Sequence, residues 1–387
     1  MAMSVQALLP WLTLCLAALP LALVVSNLFL LRRLPQAASR TMISVLIPAR
    51  DEAANIGAAI ESVLANSNAE FELLVLDDDS SDATGRIVTH WSRLDHRVRL
   101  LRGPAHDPML WGKPQSCAAL ADAACGDCLL FMDADVRLEP TALGRIAAAL
   151  EGSEFGMLSG VPRQLTLGFA EKLIVPLIQF VLLGFLPIAA MRKSRLPEFG
   201  VACGQLLAVK RDAYFAAGGH RRIADRIHDG MALAREMRAS GQMTDLADFT
   251  DIASCRMYHT TRELISGFAK NAHEGLGSPG GIVPWTLLLL GGQCAWLALL
   301  PLAFAGTIAW LPLIGTALAA YLARTLLDLR FRQSVLGTVL HPVGIVALVL
   351  VQWYALGRRL AGRPVAWKAR IVQAAEDSAT AQRSLPR

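Results

Sequence analysis

Residues 5–31 contain no charged side chain, and that run constrains the chain more than any other feature of it. It is long enough to span a bilayer's hydrocarbon core even with Pro10 and Pro20 inside it. Arg32 and Arg33 come at once after it, whereas a cleaved secretory leader would carry its basic residues ahead of the apolar stretch. The positive charge on that side predicts a cytoplasmic location for the residues after Arg32, in a multi-pass protein of the cell (inner) membrane. A second apolar block, Ile282 to Ala323, is long enough for two spans and is followed by Arg324, Arg330 and Arg332. A third, Val335 to Leu356, is interrupted by His341-Pro342. If it crosses, the tail with Arg358, Arg359, Arg363, Lys368 and Arg370 ends outside, against the charge rule; a re-entrant or interfacial course avoids that conflict. His341 reads more readily as a histidine satisfied by a neighbouring helix than as a functional intramembrane group.

These ends explain an apolar fraction of 54% and a mean hydropathy of +0.42, because residues 40–165 and 191–275 are ordinary globular sequence. The expected organisation is an N-terminal transmembrane helix over 5–31 and a cytoplasmic domain over 40–275. Two or three transmembrane helices over 282–357 and a basic tail over 358–387, disordered beyond Ala374, complete it. The net charge of +5 fits a membrane surface better than nucleic acid, for which the chain has no basic helix or aromatic platform. Seven cysteines without framework spacing read as free thiols, with Cys125 and Cys128 as packing residues rather than zinc ligands.

Between residues 42 and 160 strands alternate with helices. Ile43–Pro48, Phe71–Leu76, Val98–Leu101 and 127–132 read as strands, with helices from near Asp51 and from Asp82 between the first three. Such alternation predicts an α/β domain, a mainly parallel sheet with helices on both faces. No Gly-x-Gly-x-x-Gly follows the first strand, which excludes the usual dinucleotide site. The strand ends carry acids instead: Asp51 and Glu52, then Asp77-Asp78-Asp79, then Asp133 and Asp135. Helix capping accounts for Asp51, Ser81 and Asp82. It does not account for three consecutive aspartates, which repel one another unless a ligand or metal offsets the cost. If the chain stays extended past Met132, Asp133 and Asp135 point to one side and are able to share a divalent metal.

The segments VLIPARDE (45–52), LLVLDDDSSDAT (73–84), WGKPQSCAAL (111–120) and LLFMDADV (129–136) resemble, in order and spacing, the successive motifs of family 2 glycosyltransferases. The resemblance implies a GT-A fold, Rossmann-like with a mixed sheet, and a nucleotide-sugar donor. It implies Asp78 on the uracil ring of a UDP-sugar, with Asp51 also on the donor side, and Lys113 along the diphosphate or ribose. Asp135 would be the ligand of Mg²⁺ or Mn²⁺, with Asp133 near the ribose or metal. Asp79 departs from the family pattern, which usually has Gly there.

The apolar stretch 166–190 would pass as a short span, but a crossing would separate Asp133 and Asp135 from everything up to residue 275. It is therefore expected at the membrane interface, with Glu171 at headgroup level, or as a core helix. Residues 199–220, which include Gly204 and Gln205, resemble the family's acceptor-side strand and helix. In 225–241, Ile227, Met231, Ala234 and Met237 give one apolar helical face, with Asp229 at its start. His228 replaces the first acid of the family's acidic pair, and Asp229 matches the second, whose role is to deprotonate the acceptor hydroxyl. The helix dipole would keep that carboxylate ionised. The Gln-x-x-Arg-Trp motif of the family's processive members is missing from 255–275, which points to transfer of a single sugar. Arg262 and Lys270 there are weaker candidates for phosphate contacts.

The sequence thus predicts a membrane-bound, metal-dependent inverting glycosyltransferase acting on a lipid. The run YFAAGGH with the segments around 256–271 resembles bacterial members that glycosylate carotenoid acids or similar polyisoprenoids. A carboxylic acid acceptor would arrive ionised, leaving Asp229 to position it. A polyprenyl-phosphate or ceramide-type acceptor, or a catalytically silent membrane scaffold, are the competing readings.

Overall fold

The computed structural model describes residues 5–103, 112–226, 228–272 and 275–361. Trp111 of the third motif, Ile227 of the apolar helical face and the tail 362–387 lie outside the described residues. The chain forms two units. One comprises residues up to Leu31 with 163–190 and 256–361; the other comprises 32–162 with 191–255.

The second unit is built on strands β1 (Ile43–Ala49), β2 (Phe71–Asp77), β3 (Val98–Arg102), β4 (Cys128–Met132), β5 (Val136–Leu138) and β6 (Met157–Ser159). The short β7 (Pro162–Gln164), of which Arg163 and Gln164 belong to the other unit, is followed by β8 (Leu206–Lys210), β9 (Thr244–Leu246) and β10 (Phe249–Cys255). Seven of them form a sheet in the order β3-β2-β1-β4-β8-β6-β9. β3, β2, β1 and β4 run parallel; β8 is antiparallel to β4 and β6, and β9 is parallel to β6. This is the mixed, mainly parallel α/β fold that the alternation of elements predicts. The central strands are apolar throughout because both their faces are covered: all five residues of β4 and six of seven in β1 are buried. Their one polar intrusion, Ser44, is satisfied by donating to Glu72 Oε1 at 2.6 Å and accepting from the Gly126 amide at 2.8 Å. Helices 112–123 and 229–239 contribute Leu120, Leu233 and Met237 to the same core.

The parallel strands end together, and their C-terminal ends carry the acids. The helix expected to begin near Asp51 begins at Ile56, and the one expected from Asp82 begins at Thr84. Asp51 has φ 49° and Asp79 φ 55°, so both sit in the left-handed region. Aspartate tolerates that region better than most residues, which lets Asp79 hold a conformation that glycine adopts most readily.

In the other unit, helices Val5–Leu30, Trp310–Arg330 and His341–Leu360 include stretches long and apolar enough to cross a membrane. Helices Ile282–Gln293 and Ala295–Phe304 meet at a 48° bend. The N-terminal helix packs closely: a Cβ on Gly292 would lie 2.6 Å from the Leu16 carbonyl oxygen, and Thr13 meets Thr316 at 3.3 Å. Residues 169–193 are three short helices, broken at Pro176 and Pro187 where proline removes a backbone donor. Asn27 donates to the carbonyls of Leu183 and Leu186 and accepts from the Ile188 amide, which satisfies the groups left at that break. Glu171, expected at headgroup level, is instead buried; it accepts from the amides of Leu167 and Gly168 and pairs with Arg256 at 3.2 Å. His341 Nε2 lies 3.2 Å from Gln293 Oε1, the neighbouring-helix partner that the sequence suggests.

Candidate active site

The apolar β4 delivers Asp133 and Asp135, but not by continued extension. The chain turns over 133–135, closed by the Val136 amide donating to the Asp133 carbonyl at 3.1 Å. The turn, rather than the two-residue alternation of a strand, brings the carboxylates into one field. Arg137 stiffens it by donating to the carbonyls of Ala134, Val136 and Asn55. The Asp133 amide donates to the Gln205 carbonyl at 2.9 Å, tying the end of β4 to the start of β8.

Lys113, from the first turn of the helix 112–123, bridges two carboxylates. Its Nζ lies 2.7 Å from Asp133 Oδ1 and 2.8 Å from Asp229 Oδ2, and donates to the Gly204 carbonyl at 3.3 Å. Asp229 opens the helix 229–239, and its Oδ1 accepts from the Gly230 amide at 2.9 Å. A Cβ on Gly204 would come within 2.6 Å of Asp229 Oδ1, and one on Gly230 within 2.6 Å of the Gly204 nitrogen. Two glycines are therefore needed for this approach of β8 and the helix.

Electrostatics divide the three carboxylates. Burial pushes Asp133 up, only partly offset by Lys113. Burial and then the Asp133 charge raise Asp135 to about 7. Burial also raises Asp229, but the Lys113 charge and hydrogen bond, then His220 and the Gly230 amide, more than reverse it and hold the carboxyl below its ordinary value. Lys113 itself is pushed down by burial and carried well above its usual value by Asp133 and Asp229. Lys113 is thus the largest influence holding Asp229 ionised.

Asp135 Oδ1 is closed off from solvent and accepts no hydrogen bond, while the Cys255 thiol donates to the same carboxyl group. An orphaned carboxylate oxygen beside a second acid fits a hard divalent cation that takes its remaining oxygen ligands from elsewhere. Among the described residues no cluster of three acidic, histidine or cysteine ligands occurs, so the protein alone offers no closed cage.

The loops that follow β1 and β2 meet nearby. Arg50 approaches Asp78 Oδ2 at 4.0 Å and donates to the Asp78 carbonyl at 3.3 Å. Asp51 Oδ1 accepts from both the amide and the hydroxyl of Ser81, at 2.8 and 3.0 Å, so that oxygen braces the loop. Asp82, expected as a helix cap, lies one residue ahead of the N-cap Ala83; its Oδ1 accepts from the Thr84 amide at 2.8 Å. Glu52 contributes to the fields of both Asp133 and Asp135, linking these loops to the carboxylate cluster. Eight of the residues singled out from sequence thus fall in this unit; Arg262 and Lys270 lie on the helix 261–272 of the other.

Several neighbours had no readable signal. Arg50, Arg137 and Cys255 are common residue types whose importance comes from what the fold sets beside them. His220 had a faint one, the Gly-Gly before it. Gly218 and Gly219 have φ of 81° and 55°, and a Cβ on Gly219 would strike the Tyr214 ring. That turn places His220 against Phe131 (4.5 Å between centroids), with Nδ1 3.0 Å from the Tyr214 hydroxyl. Burial lowers this imidazole to about 4.

The family model for glycosyl transferase family 2 matches residues 44–223. Over 240 residues the chain is 26% identical to the 4,4'-diaponeurosporenoate glycosyltransferase of Staphylococcus haemolyticus, covering 61% of this chain and 62% of that protein. Against the Staphylococcus aureus protein of the same name it is 25% identical over 239 residues, with the same coverage of 61% and 62%. The chain thus matches about three-fifths of the length of these relatives. Among solved structures, a mannosyltransferase from Pyrobaculum calidifontis, in complex with GDP-Man and Mn²⁺, superposes with a TM-score of 0.54 at 16% identity. That match covers 92% of this chain and 99% of that one.

Proposed function

We propose, on the premise that this chain carries a family 2 glycosyltransferase domain, that it moves one sugar from a UDP-sugar to a lipid acceptor with inversion at the anomeric carbon. The observation that carries the proposal is the bridge of Lys113 between Asp133 and Asp229, beside the orphaned oxygen of Asp135.

In the reading we favour, Asp78 binds the uracil, Asp51 braces its loop, and Asp133 faces the ribose. Asp135, with Asp133 beside it, would hold Mg²⁺ or Mn²⁺. Such an ion would supply positive charge against the charge developing on the departing diphosphate. When the donor enters, its diphosphate competes for the Lys113 ammonium, drawing it away from Asp229. Burial then acts on Asp229 without that compensation, and its basicity rises. The carboxylate is thereby tuned to take the proton of an acceptor hydroxyl as the oxygen attacks from the face opposite the leaving group. The Lys113–Asp229 ion pair is in this view a stored form of the base, released by the substrate that needs it.

A lipid acceptor is supported by the apolar helices and by the names of the staphylococcal relatives. Those names also favour a second reading, in which the acceptor is a carboxylate and Asp229 positions it rather than deprotonating it. Mass spectrometry of lipids from cells expressing wild type, Asp135→Ala and Asp229→Asn tests both. Asp135→Ala is expected to abolish the glycolipid, and unchanged glycolipid would sink the enzymatic reading in favour of a scaffold. Asp229→Asn is expected to lower transfer to a hydroxyl by about 10²- to 10⁴-fold. Retention of most activity with a carboxylic acid acceptor would select the second reading. Loss of transfer in a chelator, restored by Mn²⁺, checks the metal.

A further inference from the structure

The unit containing the apolar helices holds a cavity of about 240 Å³ that none of the donor-site residues lines. Its walls come from two places in the chain: the stretch Arg163 to Leu167, and the loop Arg332-Gln333-Ser334 that follows the apolar helix 310–330. Two arginines and no acid line it. Arg163 Nε is closed off from solvent and meets no acceptor among the described residues. A buried guanidinium nitrogen without a partner is costly, and an anion in the cavity is the group that would satisfy it.

The second wall is held in a conformation that its sequence does not favour. Arg332 has φ 54°, in the left-handed region, and an arginine has no local side-chain bond to compensate it there. The loop is kept so by Gln333, whose amide donates to the Asp328 carbonyl at 2.8 Å. Its Nε2 donates to the carbonyls of Gln164 and Phe331, at 3.2 and 3.0 Å. Asp328 is anchored in turn by Arg324 at 2.9 Å and by the Thr338 hydroxyl at 2.6 Å. Backbone strain that the surroundings over-determine in this way is found preferentially at ligand-holding sites. Gln333 Oε1, closed off from solvent and without a donor, adds an acceptor suited to a headgroup hydroxyl.

The surface beside these residues is apolar. Leu167 is 66% exposed, Phe169 61% and Val335 74%. A basic pocket rimmed by exposed leucine, phenylalanine and valine fits an amphiphile, with an anionic head for the arginines and hydrocarbon for the rim. We propose that this cavity binds the phosphate of an anionic phosphoglycerolipid bearing a headgroup hydroxyl, and that the strained Arg332 loop is the device that holds it. The site is additional to the donor site and rests on the reading of the apolar helices as membrane spans.

The test uses full-length protein in neutral detergent, with lipid retention read by native mass spectrometry. The probes are phosphatidylglycerol, phosphatidylcholine and inorganic phosphate. Phosphatidylglycerol is expected to be retained selectively. Arg332→Gly removes the cation while supplying the residue that best accepts the loop's backbone, so it keeps the fold. It is expected to weaken binding about five-fold, and Arg163→Gln/Arg332→Gly about thirty-fold. The exposed Arg86→Gln, in the other unit, serves as a control for loss of one positive charge. Wild-type affinity in Arg332→Gly, or equal retention of phosphatidylcholine, would overturn the proposal, as would displacement of the lipid by inorganic phosphate. Asp135→Ala is expected to keep the full lipid response, so failure of the lipid site and failure of the glycosyltransferase reading give different results.

Discussion

Each unit of this protein pairs a cation with carboxylate, and the two pairings differ in a way that separates stability from function. In the apolar unit Arg324 and Asp328 are sealed, with side chains 1% and 7% exposed, one turn apart on the same helix. In the α/β unit Lys113 is 36% exposed and faces two carboxylates with a third close by. One cation against one acid in a sealed place, with two of the Arg324 guanidinium nitrogens meeting no acceptor among the described residues, leaves no surplus negative charge, and its loss is felt as instability. One reachable cation among three acids is an open arrangement, with negative charge left over and an oxygen without a donor. Burial of charge therefore does not mark a site by itself. Surplus charge with a path to solvent does.

The sharpest way to break this contrast is Arg324→Leu, which strands Asp328 without its partner. The expected loss is about 3–5 kcal/mol of stability, with most of it regained in Arg324→Leu/Asp328→Leu; denaturation of the detergent-solubilised protein reads both. If the single variant is as stable as wild type, the pair is not structural. Lys113→Met is expected to act oppositely, lowering transfer by about 10²- to 10³-fold while leaving the melting transition little changed. A large fall in stability there would place both pairings in one class.

A third prediction concerns His220 in the α/β unit. Its folded value of about 4 lies below the ordinary 6.5, so the unfolded chain binds the extra proton first. The stabilising contribution is therefore complete above pH 6.5 and is lost as pH falls from there to 4, by roughly 3 kcal/mol. Thermal unfolding across that range is expected to be flatter in His220→Gln, and an unchanged slope would count against a buried neutral imidazole. The smallest effect is expected for Asp79→Gly. Glycine relieves the left-handed φ but gains entropy in the unfolded chain, so stability is expected to move by no more than about 1 kcal/mol, with donor affinity retained. A large loss of UDP affinity would mean that Asp79, rather than Asp78, reads the base.

The α/β fold was legible because its signals are local and repeated. Apolar runs such as Leu129–Met132 mark strands covered on both faces, and intervening stretches at helical spacing impose a mainly parallel sheet. The charge-free 5–30 and the two later apolar helices announce themselves equally well. The acids at the strand ends were legible too, since Asp78, Asp133 and Asp135 follow apolar strands and Asp229 opens a helix. Helix starts were less so, because Asp51 and Asp82 look like caps, whereas Asp51 spends its carboxylate on Ser81 across the loop.

What the sequence determined by itself is therefore the set of elements and the carboxylates at their ends, properties that depend on residues a few positions apart. Only the tertiary structure decided how these meet. It turned the chain at 133–135 and let Gly204 and Gly230 approach. It put Lys113 between residues 20 and 116 positions away in the chain, each contact at 2.7–2.8 Å. The physical reason is that charge interacts through space: a carboxylate's ionisation is set by which cation the fold brings within hydrogen-bond reach. Periodicity along the chain carries no record of that distance.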